Sequence, residues 1–263
     1  MMSHVISQID GPIGIVTLNN PEKHNAFDDS LIADLTHELK MLEGNGDVRV
    51  VVLSAIGKSF SAGADLNWMK RMSTYSEEEN FRDAMLLGDL MRTLHRLSKP
   101  TIARVQGAAY GGGVGLVACC DIAVGTHNAA FSLSEAKLGL IPAVISPYVI
   151  AAIGERAARR YFLTAERFDA GEAFRLGLLH ELLASDADMD DKINDICDAL
   201  MQGGPCAHFE AKSLIAAISN RPVDDAVITE TAKRIARVRA SAEGKEGLSA
   251  FLEKRKARWI VES

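Results

Sequence analysis

Three short segments hold residue types that could do chemistry. Phe131-Ser132-Leu133-Ser134-Glu135-Ala136-Lys137-Leu138-Gly139-Leu140-Ile141-Pro142 sets one carboxylate, Glu135, among apolar and small neighbours. A glutamate beside a lysine is ordinarily a solvated surface charge. In these surroundings it would be desolvated, and a desolvated carboxylate is suited to carry a proton near neutral pH. Gln106-Gly107-Ala108-Ala109-Tyr110-Gly111-Gly112-Gly113-Val114-Gly115 runs three glycines together ahead of an apolar stretch. Such a run loses backbone entropy on folding, which a chain bears where a side chain would obstruct something. At a helix start, free N–H groups and the helix dipole can stabilise a developing negative charge. Close helix–strand packing is the simpler alternative. Ser59-Phe60-Ser61-Ala62-Gly63-Ala64-Asp65-Leu66 is also made of small residues that let a ligand reach the backbone, or it is an ordinary strand-to-helix loop.

Two other motif readings fail. Gly57-Lys58-Ser59 suggests a phosphate loop, but that motif needs a glycine five positions before Gly57, where Val52 stands. Gly113-Val114-Gly115-Leu116-Val117-Ala118 fits a dinucleotide fingerprint, with Glu135 as its acidic partner. It lies mid-chain, however, and the second half offers no alternating strands to complete a doubly wound sheet. The histidines and cysteines show no metal-ligand spacing. Cys119 and Cys120 read as small hydrophobes. Asp121 reads as an acceptor for donors at a strand start rather than a catalytic group, Tyr110 as packing beside the glycines rather than pocket lining, and Lys254 to Arg258 as a solvated helix face, with a phosphate contact as the alternative.

The elements that must position these segments are legible in outline. Val5 to Ile9 and Ile13 to Leu18 predict two short strands joined at Asp10-Gly11-Pro12. Leu31, Leu35, Leu39 and Leu42 recur at helical spacing, with Asp28, Asp29 or Ser30 as the cap. Val50 to Leu53 and Thr101 to Val105 are apolar enough for strands covered on both sides. Residues 77–97 predict a helix, and Ile122 to Val124 and Ala130 to Leu133 predict short strands. From Tyr148 onward the periodicity is helical: 154–163, 169–176, 188–201, 205–218, 223–241 and 245–258. The first half is thus a loose recurrence of strand, strand, helix, and the second half is helices alone.

The chain has 263 residues, 48% of them hydrophobic, and a net charge of -6. That size suits one large domain or a domain with a helical extension. The acidic balance argues against nucleic acid as a partner. No apolar run approaches the roughly 18 residues that span a bilayer, and no signal or transit segment is visible at the N-terminus. Cytoplasm is the expected compartment.

Taken in order, FSAGADL, AAYGGGVG and SLSEAKLGLIP resemble the crotonase (enoyl-CoA hydratase/isomerase) family, over about Val5 to Trp259. The resemblance implies an α/β fold, a ClpP-like spiral of strand-strand-helix turns over 1–200, with a helical C-terminal region at 201–263 that serves trimerisation and acyl-CoA contacts. It implies homotrimers or homohexamers, an acyl-CoA thioester substrate, and no metal or redox cofactor, coenzyme A being part of the substrate. Carried over by position, Glu135 is the acid/base, and the N–H groups of Ala64 and Gly112 form the oxyanion hole. Lys23, His24, Ala62, Ala64, Asp65 and Leu66 match positions around the nucleotide end of coenzyme A. Phe251 and Lys254 match C-terminal positions that reach coenzyme A, often from a neighbouring subunit.

Two departures accompany the match. Many family hydratases have a second glutamate at the position of Gly115, and many relatives have a glycine-rich stretch ending in Thr-Gln-Arg where this chain has Ile141 to Tyr148. Both departures, with Ile153 to Arg160, are similar to a bacterial subgroup assigned as methylglutaconyl-CoA or related enoyl-CoA hydratases. The resemblance therefore implies hydration of a short or branched 2-enoyl-CoA. A single-glutamate Δ3,Δ2-enoyl-CoA isomerase is the alternative that Gly115 favours, and a non-catalytic acyl-CoA binder is a third. Some eukaryotic relatives bind RNA through a lysine-rich helix. Here that helix carries Asp28, Asp29, Asp34, Glu38 and Glu43 against Lys40, so no RNA binding is expected.

Overall fold

The computed structural model describes residues 3–260. The chain starts with an antiparallel hairpin, β1 (Val5–Asp10) and β2 (Ile13–Leu18), turned at Gly11 in a left-handed conformation. Helix α1 (Asp29–Gly44) begins where the Asp28 carboxylate accepts the Leu31 N–H at 2.9 Å, and it buries Leu31, Ile32, Leu35, Leu39 and Leu42. Three turns of similar build follow. The first is β3 (Val50–Ala55), β4 (Ser59–Ser61), α2 (Leu66–Met72) and α3 (Glu77–His95). The second is β5 (Thr101–Val105), β6 (Ala108–Tyr110) and α4 (Gly112–Cys119). The third is β7 (Ile122–Thr126), β8 (Ala130–Ser132), a 3-10 turn at Ser134–Leu138 and α5 (Ser146–Thr164). Then come β9 (Arg167–Asp169), α6 (Ala170–Leu176), β10 (Glu181–Leu183) and α7 (Asp186–Gln202).

Each turn sends a long strand to one sheet and a short strand to another. The six-stranded sheet runs β1-β2-β3-β5-β7-β10, parallel from β2 onward; the four-stranded sheet runs β4-β6-β8-β9, its first three strands parallel. Crossovers between parallel neighbours require an intervening helix, which is why α3 and α4 recur between them. The core is apolar on both sides of β3, whose residues are all buried. Asp121 accepts from both the Thr101 N–H and the Thr101 hydroxyl at 2.8 Å, which fixes the start of β5 against β7. Cys119 is buried and its sulfur lies 3.7 Å from Met91 Sδ.

The backbone groups into two compact units. One runs to Leu97 and takes in Thr101–Asn194; the other comprises Ser98–Pro100 and the chain from Asp195 on. The second unit includes α8 (Pro205–Ile218), α9 (Asp225–Ala240) and α10 (Ala242–Leu252). Pro205 opens α8, where its missing N–H is no loss. Among the described residues, no helix is long and apolar enough to cross a membrane.

The structure corrects the sequence reading in three places. Strands β9 and β10 lie in the half expected to be helical throughout. Strands β4 and β6 lie inside segments read as loop and glycine turn. The last helix is Ala242–Leu252 rather than 245–258, because Lys254 takes a left-handed φ of 53°. Three-residue strands are too short for alternation to show, and only their pairing partners define them.

Candidate active site

Strands β4, β6 and β8 are parallel neighbours, with Ser61 paired to Ala109, Ala109 to Phe131 and Tyr110 to Ser132. Their C-terminal ends therefore open on one edge of the sheet, and Ala64, Gly112 and Glu135 each follow one of those ends within three residues. Carboxyl ends of parallel strands are where open α/β sheets place their ligands. The three segments that stood out in the sequence thus meet through sheet topology.

At Gly63, Gly111 and Glu135 the contact is close. A Cβ built on Gly111 would lie 3.0 Å from Glu135 Oε1 and 4.0 Å from Gly63 Cα. Gly111 has φ 49°, a conformation that a side chain would strain, so glycine is required here on both counts. Its N–H donates to Ser132 O at 2.9 Å, which ties the start of α4 to the end of β8.

The two backbone donors emerge from different local structures. Phe27 and Ala64 form an isolated parallel bridge, in which the Phe27 N–H donates to Gly63 O at 2.7 Å and the Asp65 N–H donates to Phe27 O at 2.8 Å. In such a bridge the intervening residue's own N–H and C=O face the other way, so the Ala64 N–H points away from Phe27. Gly112 is the first residue of α4, and the preceding Gly111 supplies no side-chain cap. First-turn N–H groups have no acceptor within their helix, so this end of α4 offers donors to whatever sits beside it.

Glu135 occupies the 3-10 turn after β8 and is half-buried. Its Oε2 is buried and, among the described residues, has no hydrogen-bond partner. Burial pushes the carboxyl above the usual glutamate range, and a hydrogen bond from its own N–H offsets this only in part. A carboxylate shifted this way, with one oxygen unsatisfied, is prepared to accept and release a proton.

The early loop is held on β4 by a residue that sequence reasoning passed over. Asn25 is fully buried; its amide donates to Ile56 O and Ser59 O at 2.9 Å, and its Oδ1 accepts the Asn20 N–H at 2.8 Å. Both His24 and Asn25 are left-handed, at φ 52° and 53°, which turns the chain back toward β4. The Ser61 hydroxyl donates to Asn25 O at 2.8 Å. The cluster of asparagines at 19, 20 and 25 was the available signal, since asparagine tolerates this conformation.

The positions matched to coenzyme A divide between the two units. Lys23 pairs with Asp65 at 3.2 Å, and His24 Nδ1 lies 3.1 Å from the Ser59 hydroxyl. Ala62 donates its N–H to His24 O at 2.9 Å, and Leu66 is 80% exposed. Phe251, 81% exposed, and the left-handed Lys254 belong to the second unit. Asp65 caps α2, accepting from the Asn67 and Trp68 N–H groups at 2.9 and 3.1 Å. Burial works against its charge, but those N–H groups and Lys23 together hold its carboxyl below the usual range. Its contribution to stability is therefore present at neutral pH and is lost as pH falls through its lowered pKa. Asp65→Ala is expected to lower the unfolding free energy by about 1–2 kcal/mol at pH 7, with the gap from the parent closing in acid. Urea melts at the two pH values measure it.

Gly115 lies one helical turn beyond Gly111 on the same face of α4, and the place of its side chain is taken. A Cβ there would overlap Ile145 Cγ2 and lie 2.9 Å from Ile145 Cβ and 3.2 Å from Met91 Cε. Ile145, within the Ile141–Tyr148 stretch, thus fills the space that a side chain at position 115 would need.

What known proteins share this arrangement follows from comparison. The family model described as enoyl-CoA hydratase/isomerase matches residues 8–261. A short-chain-enoyl-CoA hydratase of Clostridium acetobutylicum is 29% identical over 97% of both chains. Among solved structures, an enoyl-CoA hydratase from Shewanella pealeana superposes with a TM-score of 0.95 at 44% identity, covering 97% of this chain and 96% of its own. A chain from Legionella pneumophila gives 0.92 at 45% identity, covering 98% and 100%. A match over nearly the whole chain, on the same spiral of paired strands, makes this protein a member of the enoyl-CoA hydratase/isomerase (crotonase) family.

Proposed function

We propose that the chain hydrates a short or branched 2-enoyl-CoA thioester of the methylglutaconyl-CoA kind, through an enolate held by the N–H groups of Ala64 and Gly112. The observation that carries this reading is the buried, unpartnered Oε2 of Glu135 at the strand edge from which both donors emerge. In the reaction, water bound at Glu135 adds its oxygen to the β-carbon while the carboxylate takes one of its protons. The charge collects on the thioester oxygen between the two amides, where each donor lowers the barrier by several kcal/mol. The carboxyl then returns its proton to the α-carbon. Lys23, His24, Ala62, Ala64, Asp65 and Leu66 hold coenzyme A, Phe251 and Lys254 reach it from a neighbouring subunit, and the working form is a homotrimer or homohexamer in the cytoplasm. No metal or redox cofactor enters this scheme.

A second reading, Δ3,Δ2-enoyl-CoA isomerisation, is favoured by the hydrocarbon at Gly115, which leaves Glu135 without a second carboxylate on that helix face. One carboxylate is enough to move a proton between the α- and γ-carbons. Incubation with crotonyl-CoA and 3-methylglutaconyl-CoA, following the enoyl absorbance and the 3-hydroxyacyl-CoA formed, separates the two. Loss of absorbance with incorporation of water is expected. Conversion of a 3-enoyl-CoA to the 2-enoyl isomer with no hydration of either thioester would reject the hydratase reading.

A further inference from the structure

The segment that carries Glu135 is held at its two ends and exposed between them. Leu133 is fully buried on one side of Glu135. Residues 136–141 are exposed, Ile141 to 76%, and beyond them Pro142 and Ile145 go back into the core, Ile145 to 3%. Within the segment the bonds are short-range: Leu140 N–H to Glu135 O at 3.0 Å, Gly139 N–H to Ala136 O at 3.2 Å, and Ser146 N–H to Ala143 O at 3.2 Å. Such bonds stiffen the segment but do not place it. Placement falls to the buried ends, and the far one closes on α4: Ile145 seats in the notch left by Gly115, which Met91 from α3 also lines.

We propose that Ile145 is a positioning residue for the reaction: its side chain, seated in the Gly115 notch, locks the Glu135 segment to the helix that carries Gly112 and so sets the carboxylate's place relative to the oxyanion donors. The inference rests on the roles assigned above to Glu135 and Gly112. Packed interiors transmit small displacements because there is no free volume to absorb them, and Met91 is fully buried. A shift on the order of 1 Å at a catalytic group can lower a rate by about 100-fold. The notch also gives a reason for a glycine in the middle of a buried helix, where it is otherwise unfavourable.

The test is a double-mutant cycle on the intact protein. Ile145→Ala empties the seat, and Gly115→Ala expels its occupant. Each is expected to lower kcat by about 10- to 30-fold, with KM changing less than about threefold, as for a carboxylate displaced by a fraction of the distance in that estimate. In the pair Gly115→Ala/Ile145→Ala, the new methyl enters the space that Ile145 Cγ2 left, and only its 2.9 Å approach to the Cβ kept at position 145 still needs a small shift. Its loss in kcat and in melting temperature is expected to be well below the sum of the two singles, as for residues in contact. Ile145→Val, which keeps the branch at Cβ, should retain kcat within about threefold. Overturning results are a folded Ile145→Ala with unchanged kcat, or single losses that simply add. The melting-temperature cycle needs no substrate, so it reads the lock even if the proposed hydration fails, whereas loss of coupling with hydration intact rejects the lock alone.

Discussion

Glu135→Gln is expected to lower kcat by at least about 100- to 10,000-fold, the range for removal of a positioned general acid/base, while acyl-CoA binding persists. Glutamine keeps the shape of the side chain but cannot accept a proton in exchange. Stability should move in the opposite direction to activity. The Glu135 carboxyl is held above the ordinary glutamate range because burial disfavours its charged form. The folded state therefore binds more protons than the unfolded state between the two pKa values, and unfolding free energy falls as pH rises through that window. The parent is most favoured by this group below the unfolded pKa and carries a buried charge above the folded one. Glu135→Gln carries none at any pH. It should melt above the parent at pH 8, and the difference should shrink as pH falls into the range where the parent carboxyl is protonated. Thermal melts across that range, beside kcat with crotonyl-CoA, measure both effects. Retained turnover, or a melting difference that grows in acid, would remove Glu135 from the centre of the mechanism.

What the sequence could show was set by the length of each signal. Leu31, Leu35, Leu39 and Leu42 span three helical turns, and α1 buries all four, together with Ile32. Glu135 was legible because a charged residue in an apolar, small-residue stretch is rare without a reason. The triple glycine was legible for the same kind of reason, and Gly111 turns out to need its freedom both for its φ and for the neighbouring carboxylate. What stayed hidden is non-local. The strands β4, β6 and β9 have three residues each and exist by pairing with neighbours far along the chain. Phe27 carried no signal in the sequence, yet its backbone forms the bridge that turns the Ala64 N–H outward, and its ring lies against Gly112. Ile145 could not be matched to Gly115 from the sequence alone, because the 29 intervening residues cross two strands before the chain returns to the same helix.

The oxyanion donors are backbone groups, so their test must remove an N–H without removing the fold. Gly112 permits this because it is the first residue of α4, the helical position at which proline is best tolerated, and Gly111 before it has no Cβ to meet the proline ring. The difficulty is Phe27: a Cβ at position 112 would lie 3.0 Å from its Cε2, and Phe27 is only 1% exposed. Gly112→Ala imposes the same crowding while keeping the donor, so the comparison of interest is proline against alanine at one site. Loss of one such donor ordinarily lowers kcat by about 100- to 1000-fold, and that ratio is expected between the two variants, with acyl-CoA binding affected far less. If crowding prevents folding, the same pair in a Phe27→Leu background relieves the ring contact and leaves the comparison intact. Folded alanine and proline variants that turn over within about threefold of each other would mean that the start of α4 does not hold the developing charge. The glycines at the start of the helix would then serve backbone conformation and packing alone.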